Sequence, residues 1–392
     1  MANRRAFAGQ ILRAAALVLF VASTARAQNY ISTFPQFATG GGWTSDFFIS
    51  NQGGTSAVVD VSFYGDDGSP LTVDCTLGVG SSFSITLGGG GTKAVRVTST
   101  AELKTGYVIL SIPSGASIRS SEVFRYSQRG AVVSSLGVAQ QFAMTSYSFP
   151  AEVDTARGVN TGLALANGAF DTSGAADQSC VVNLIRSDGT RQDTAVITLA
   201  AKEHLSAYLT SDSLFPGLDN FSGTVSVSAA RPIGVVALRQ DEAVFATVSV
   251  DAGPILAPFL LSTAAINEVE PNTTPAQAQR INPPVVVAGN ISVAGDIDYF
   301  QFTGTKGDVV TALVSTTNLN SALDSVLYLL NSDGRTILAQ NDEEGLFFTS
   351  DSFVQAVLPA DGTYYLAVTD YSSRGGVNGT YRLHVQFLKP RR

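Results

Sequence analysis

The chain has 392 residues, and only 14% of them are charged, with 32 Asp and Glu against 24 Lys and Arg. An acidic balance without basic clusters argues against nucleic acid or an anionic membrane surface as a partner. It is compatible with binding divalent cations.

The first element in chain order is a leader. Arg4, Arg5 and Arg13 precede an apolar run from Ala14 to Ala22, and the small-residue triplet Ala25-Arg26-Ala27 follows. This order predicts a secretory signal peptide over residues 1–27, cleaved after Ala27. A membrane anchor needs about 20 apolar residues, and this run is about half as long. The later stretch "ILAPFLLSTAAI" is short and broken by Pro258. The expected mature chain is therefore secreted, extracellular or at the cell surface, with no membrane span. Losing the leader removes four arginines and no acid, which moves the net charge from -8 to -12.

From Tyr30 onward, short alternating or apolar runs are separated by Gly, Asp, Asn and Ser turns, as in "AVVDVSFYGDDGSPLTV". Such punctuation predicts an all-β chain of sandwiches or barrels. Three blocks recur in the same order. "FPQFATGGGWTSDFFISNQG" from Phe34 matches "FPAEVDTARGVNTGLALANG" from Phe149, "VVDVSFYGDDGSPL" matches "VVNLIRSDGTRQ", and "TGYVILSIPSGASIRSSEVFRY" matches "SGTVSVSAARPIGVVALRQ". Residues 28–145 and 146–257 are read as tandem immunoglobulin-like β-sandwich repeats, followed by a linker at 258–266. With the "SLFPGLDNFSGTV" block at Ser213, the pair resembles duplicated modules of uncharacterised secreted bacterial proteins.

Trp43, behind three glycines, reads as an aromatic closing one end of the first sandwich, with ligand stacking as the rival. Cys75 and Cys180 fall at non-equivalent places in the two repeats, so two buried, unpaired thiols are expected rather than a bridge.

After the linker comes "INEVEPNTTPAQAQ", where Glu268, Glu270 and Asn272 offer side-chain oxygens from alternate residues of an extended segment. Asp296 and Asp298 in "GDIDYF" add two carboxylates. Calcium takes six to eight oxygen ligands, so these five residues are candidate metal ligands and calcium the expected structural cofactor. The rival reading is a solvated acidic linker. Asp324, Asp342, Glu343, Glu344 and Asp351 form a second acidic group, read as turn residues with a second metal site as the alternative. In "GTYYLAVTDY", alternation puts Tyr364, Leu366 and Val368 on one face and Tyr365, Thr369 and Tyr371 on the other. In "TYRLHVQF", Tyr381, Leu383, Val385 and Phe387 oppose Arg382, His384 and Gln386.

Together with "LNSALDSVLYLLNSDGRTILAQNDEEG", these motifs resemble the bacterial pre-peptidase C-terminal domain, a relative of clostridial collagenase collagen-binding modules, over residues 267–388. The resemblance implies a jelly-roll-like β-sandwich, usually appended to a secreted enzyme, and calcium ligands at Glu268, Glu270, Asn272, Asp296 and Asp298. Some relatives carry an acid where this chain has Thr273. Collagen-binding relatives use two tyrosines after "YYLxV", and here those positions hold Thr369 and Tyr371. By alternation Tyr365, Tyr371, Arg382 and His384 still point outward, as an expected ligand face for an extended polymer.

No catalytic motif stands out. There is no HExxH and no GxSxG, and "DTSG" at Asp171 falls where a hairpin turn is expected. Of the two histidines, His204 reads as a surface or capping side chain and His384 as projecting from a wet face. The expected function is a secreted, non-catalytic binding or adhesion protein that attaches to an extracellular polymer, matrix or cell surface. A secreted hydrolase with its active site in the tandem modules is the alternative. The intact mass of the exported chain should correspond to a start at Gln28. Retention of the first 27 residues would contradict the leader.

Overall fold

The computed structural model describes residues 29–98, 102–168, 170, 174–254, 256–342 and 350–390. The expected leader, Asp171, Glu343 and Glu344 lie outside these residues. Almost all regular structure is β, with four short 3-10 turns among the described residues.

The first module contains β1 (Tyr30–Thr39), β2 (Trp43–Asn51), β3 (Ala57–Gly65), β4 (Val73–Cys75), β5 (Gly78–Gly80), β6 (Ser82–Leu87), β7 (Thr92–Arg96), β8 (Lys104–Ile112), β9 (Ile118–Gln128) and β10 (Ala131–Ala139). Two four-stranded sheets, in the orders β1-β8-β3-β6 and β10-β9-β2-β7, make a sandwich. Its core is built by Phe34, Phe37, Phe47 and Phe63 together with aliphatic residues of both sheets. Gly42 at the turn into β2 has φ +95°, and an added Cβ would lie 2.5 Å from the carbonyl of Ser127, so only glycine fits there.

The second module contains β11 (Met144–Asp154), β12 (Val159–Ala166), β13 (Gln178–Arg186), β14 (Arg191–Leu199), β15 (His204–Tyr208), β16 (Asn220–Asp241), β17 (Val244–Val248) and β18 (Asp251–Ala252). Its pairings give β11-β16-β13-β14 and β17-β16-β12-β15, the same order as the first module. The 22-residue β16 takes the places of both β8 and β9. Its pairing with β13 ends at Ala229, its last pair with β11 is at Ile233, and its pairing with β12 begins at Gly234. Register repeats as well: Phe34 faces Val108 across β1 and β8, and Phe149 faces Val225 across β11 and β16. Asn51 and Asn167 end equivalent strands, and each buried amide donates to backbone carbonyls that close its module. Pairing of β11 starts at Met144, slightly before the expected boundary at 146.

The two cysteines are free and sit in separate cores. Burial pushes the Cys180 thiol up to about 12.

The C-terminal sandwich contains β19 (Ile266–Asn267), β20 (Gln279–Arg280), β21 (Val285–Asn290), β22 (Ile297–Gly304), β23 (Val309–Ser315), β24 (Ser325–Leu330), β25 (Ile337–Asn341), β26 (Ser352–Val357), β27 (Gly362–Asp370) and β28 (Thr380–Leu388). Its sheets run β19-β21-β28-β23-β26 and β20-β22-β27-β24-β25. Tyr364, Leu366, Val368, Tyr381, Leu383 and Val385 are all in the core between them, as alternation requires.

The modules pack on one another. Phe259, within the expected linker, is buried among Val181 of the second module and Val309, Leu313, Phe353 and Leu388 of the third. A polar chain crosses the same seam: Thr194 Oγ1 donates to Asn183 Oδ1, Asn183 Nδ2 to Gln355 Oε1, and Gln355 Nε2 to Thr311 Oγ1. Between the first two modules, His204 corrects the sequence expectation. It is 3% exposed, not a surface side chain. Its Nδ1 lies 2.7 Å from Asp66 Oδ1 and its Nε2 3.0 Å from Gln36 Oε1, both in the first module. Trp43 also departs from its expected role, because it packs against Phe245 of the second module as well as Phe124 and Tyr126 of its own.

Glu122 on β9 is wholly buried, and neither carboxylate oxygen has a hydrogen-bond partner. Burial raises its pKa well above the usual carboxylate range, and Ser45, whose hydroxyl is donated to the Ala38 carbonyl, opposes the rise without cancelling it. The folded chain therefore holds a proton that the unfolded chain releases near pH 4.5. Stability from this group is fully present below that pH and is lost as pH rises through the folded pKa. Glu122→Leu should raise stability at neutral pH by about 1–3 kcal/mol and flatten that decline. Denaturant melts at several pH values would check both effects, and a variant no more stable than the parent would contradict them.

Candidate metal centre

The segment Ile266–Arg280 begins on one sheet of the C-terminal sandwich and ends on the other. β19 pairs parallel to β21, and β20 pairs parallel to β22. Between them the chain crosses the end of the sandwich through bends and a 3-10 turn at Pro275–Gln277, and the carbonyl of Asn272 accepts the N–H of Tyr299. This crossing brings the acidic residues of the segment to the start of β22.

Asp296 occupies the turn that leads into β22. Its Oδ2 accepts from the N–H and hydroxyl of Ser292, and its Oδ1 from the N–H of Ile297, which fixes the carboxylate. Asp298, two residues on, is 0% exposed, and its Oδ2 accepts the Tyr381 hydroxyl at 2.6 Å. Glu270, Asp296 and Asp298 each offer an oxygen, and these atoms lie within 4.8 Å of one another. Asn272 is fully buried beside them, and one heavy atom of its amide is 3.1 Å from both Glu270 Oε2 and Asp298 Oδ1. With nitrogen in that position the amide donates to both carboxylates. With oxygen there, oxygens of three side chains converge as they would around a hard cation.

Glu268 sits one step behind this group. Its Oε1 accepts the N–H of Asn290, and its Oε2 is 3.2 Å from the Tyr381 hydroxyl. The backbone of Glu268 is still paired to β21, so its side chain lies along that strand over Gly289. A Cβ at Gly289 would come within 2.3 Å of the Tyr381 ring and 2.5 Å of Glu268 Oε2, so glycine makes room for the whole arrangement. Of the five residues expected from sequence, the structure thus brings together Glu270, Asn272, Asp296 and Asp298 and places Glu268 against Asp298 and Tyr381. Tyr381 was missed as a polar partner because its alternation marks it only as core. A buried tyrosine hydroxyl needs an acceptor, and that need was the available signal.

No Lys or Arg among the described residues forms an ion pair with these acids. Burial, with the Glu268 carboxylate next, pushes Asp298 up to about 9, and burial raises Glu268 too. The site concentrates carboxyl groups whose ionisation a bound cation would favour. Three carboxylates, an amide oxygen and solvent satisfy the chemistry of a calcium site, so the residues fit that ion.

The second acidic group does not converge among the described residues. Asp351 Oδ1 instead accepts from the N–H and hydroxyl of both Thr316 and Thr317, anchoring a turn. Asp324 has its pKa raised by burial and then by Asp370.

The expected ligand face is corrected. Tyr365 is on β27 and Arg382 and His384 are on β28, and these strands belong to opposite sheets, so the four residues cannot share a face. Tyr365 is half-buried beside Ala278 and Ile337. His384 is 6% exposed and accepts the N–H of Leu261, and burial, then Arg382, lowers its pKa. Tyr371 and Arg382 are exposed.

Residues 296–370 match the family model of the bacterial pre-peptidase C-terminal domain. A probable subtilase-type serine protease of Deinococcus radiodurans is 30% identical over 154 residues, which are 38% of this chain and 19% of that protein. The chain thus spans well under two thirds of that relative. Among solved structures, the pre-peptidase C-terminal domain of a Bacillus anthracis collagenase is 20% identical, covering 28% of this chain and 94% of its own, with a TM-score of 0.23. Aeromonas hydrophila PliG, a periplasmic lysozyme inhibitor of g-type lysozyme, is 15% identical, covering 28% and 96%, also with a TM-score of 0.23. The matched stretch opens on Asp296 and runs through β27, and the C-terminal sandwich of this chain is a bacterial pre-peptidase C-terminal domain.

Proposed function

We propose that the chain is a secreted, non-catalytic binding protein whose C-terminal sandwich is stabilised by calcium and attaches to an extracellular polymer or surface. The observation that carries the calcium reading is the meeting of Glu270, Asp296 and Asp298 around the Asn272 amide with no cationic side chain among the described residues to offset them. Calcium there would tie the crossing segment to β22 and so hold the two sheets together at one end. Glu270 and Asp296 would bind directly, Asp298 would bind after losing its proton, and Tyr381 would orient Asp298 and Glu268.

The placement of both histidines supports a non-catalytic reading. His204 has its ring nitrogens against Asp66 and Gln36, and His384 is held by the N–H of Leu261, so neither is hydrogen-bonded to a hydroxyl or thiol nucleophile. Extracellular action is supported by the pre-peptidase C-terminal domain and by the protease relative. No helix among the described residues is long and apolar enough to cross a membrane.

A ligand that binds only the folded state adds about 2.7 kcal/mol at a hundredfold excess over its Kd. Calcium should therefore raise the melting temperature of the full exported chain, and EDTA should reverse the rise. Glu270→Gln, at an exposed position, should abolish the calcium increment. Asp298→Asn should abolish it too while raising stability in chelator, because the buried proton uptake is gone. A melting curve indifferent to EDTA would return the segment to a solvated linker.

Attachment is tested by pull-down of the exported chain against polysaccharides, fibrous proteins and cell envelope, with and without calcium. Retention on one class that is reduced at least severalfold by Tyr371→Ala or Arg382→Ala supports the C-terminal domain as the attaching module. Turnover of a protease, esterase or glycan substrate that survives Glu270→Gln would favour the hydrolase alternative.

A further inference from the structure

In the first module, the sheet β10-β9-β2-β7 turns Phe47, Ile49, Val95 and Phe124 inward to the apolar clusters. Alternation sends their neighbours to the opposite face. That face carries Arg119, Val123 and Arg125 on β9, Asp46 and Phe48 on β2 and Arg96 on β7, and all of these except Asp46 are exposed or half-buried. Its relief is low, because Ala94, Ser121, Gly137 and Ala139 fill the same cross-strand rows.

The charges on this face are layered. Arg125 donates to Asp46 Oδ2, and Arg96 Nε lies 3.8 Å from the same oxygen, so two guanidinium groups share one carboxylate. The Asp46 side chain is 9% exposed and that of Arg96 63%, which leaves the positive groups toward solvent and the negative one beneath them. Arg125 uses one of its five N–H donors on Asp46. Arg119 adds a third cation six residues away on β9, about 20 Å along the strand, and Phe48 stands between the two ends. The one further acid near these rows is Asp74, past the β7 edge, where its carbonyl accepts the N–H of Thr98. The chain as a whole carries -8, but charges are screened over about 8 Å at physiological salt, so a local positive excess governs contact.

This arrangement narrows the occupant. Guanidinium groups pair with carboxylates, and the hold of Arg96 and Arg125 on Asp46 shows that they can converge on one. A flat face without hollows cannot seat the protruding side chains of a folded acidic protein. It can lie along an extended chain, and a sugar ring presents a flat C–H face to an aromatic such as Phe48. We propose that this face binds an extended acidic polysaccharide, with carboxylates at Arg96 and Arg125 toward one end and at Arg119 toward the other, and a sugar ring over Phe48. The proposal rests on the reading that the chain attaches to an extracellular polymer, and it names the class of that polymer and the module that meets it.

The full exported chain is passed over immobilised polygalacturonate in EDTA, which keeps calcium from bridging carboxylates. Dextran serves as the neutral polysaccharide and single-stranded DNA as a polyanion without uronic acids. The chain should be retained on polygalacturonate more strongly than on either, and retention should fall as salt is raised. Arg96→Gln and Arg125→Gln should each weaken binding about tenfold, the worth of one charge-assisted hydrogen bond. Asp46→Asn should strengthen it, because both guanidinium groups lose their internal partner, a gain that a merely structural role would not give. Circular dichroism melts confirm that each variant is folded. No retention on polygalacturonate, equal or stronger retention on DNA, unchanged binding by a folded double variant of Arg96→Gln and Arg125→Gln, or weaker binding by folded Asp46→Asn would each overturn the proposal. Retention on a different polymer that Tyr371→Ala reduces and the double variant does not would overturn it while leaving attachment standing.

Discussion

A sheet in a two-layer sandwich has two faces, and its partner sheet can cover only one. The second face must be polar or be covered by something else. In this chain several strands are apolar on both sides: every residue of β23 and β24 is buried, and all but one in β26. The covering comes from other parts of the chain. Phe259 lies over β23 and β26 beside Val181, and the crossing segment around Ala278 lies over Tyr299 and Tyr328. The domain arrangement follows from that demand, because each module hides apolar surface that its neighbour cannot leave in water.

This demand also explains where sequence reasoning stopped. Alternation correctly sorted Tyr364, Leu366 and Val368 from their neighbours, because sidedness is a local property of an extended chain. It labelled the far side of β28 as wet, yet His384 there is buried under Leu261, a contact between residues 123 positions apart. His204 was misplaced for the same reason: its partners Asp66 and Gln36 belong to another module, 138 and 168 residues away. Repetition was legible because three blocks kept their order, and the structure repeats even the pairing of Phe34 and Phe149. The candidate ligands were legible through spacing. Their division was not, because it depends on Gly289 leaving space for Tyr381 and Glu268.

Two kinds of unspent chemistry remain in the folded chain, and they differ in sign. At the end of the C-terminal sandwich, carboxyl groups are held closer than their charges favour. Between the tandem modules, a half-open apolar cleft lies beside the Trp43–Phe245 contact. The first arrangement sets like charges side by side, and the second leaves apolar surface open to solvent. They lie in separate modules, so each can be perturbed without touching the other, as additivity between distant sites requires.

The long strand β16 has a mechanical consequence. In the first module β8 and β9 are separate strands joined by residues 113–117, so the two sheets are linked there by a loop, which is tied down by the Tyr30 hydroxyl on the Ala116 carbonyl and the Gln52 N–H on the Ser117 carbonyl. In the second module one 22-residue strand runs through both sheets, hydrogen-bonded to β11 and β13 over its first half and to β12 and β17 over its second. A pull that peels one sheet is passed along this backbone into the other, loading both sets of hydrogen bonds together. The duplicated fold therefore contains one copy whose sheets are joined by a loop and one whose sheets share a strand, the second standing between the first module and the domain that carries the carboxylate group.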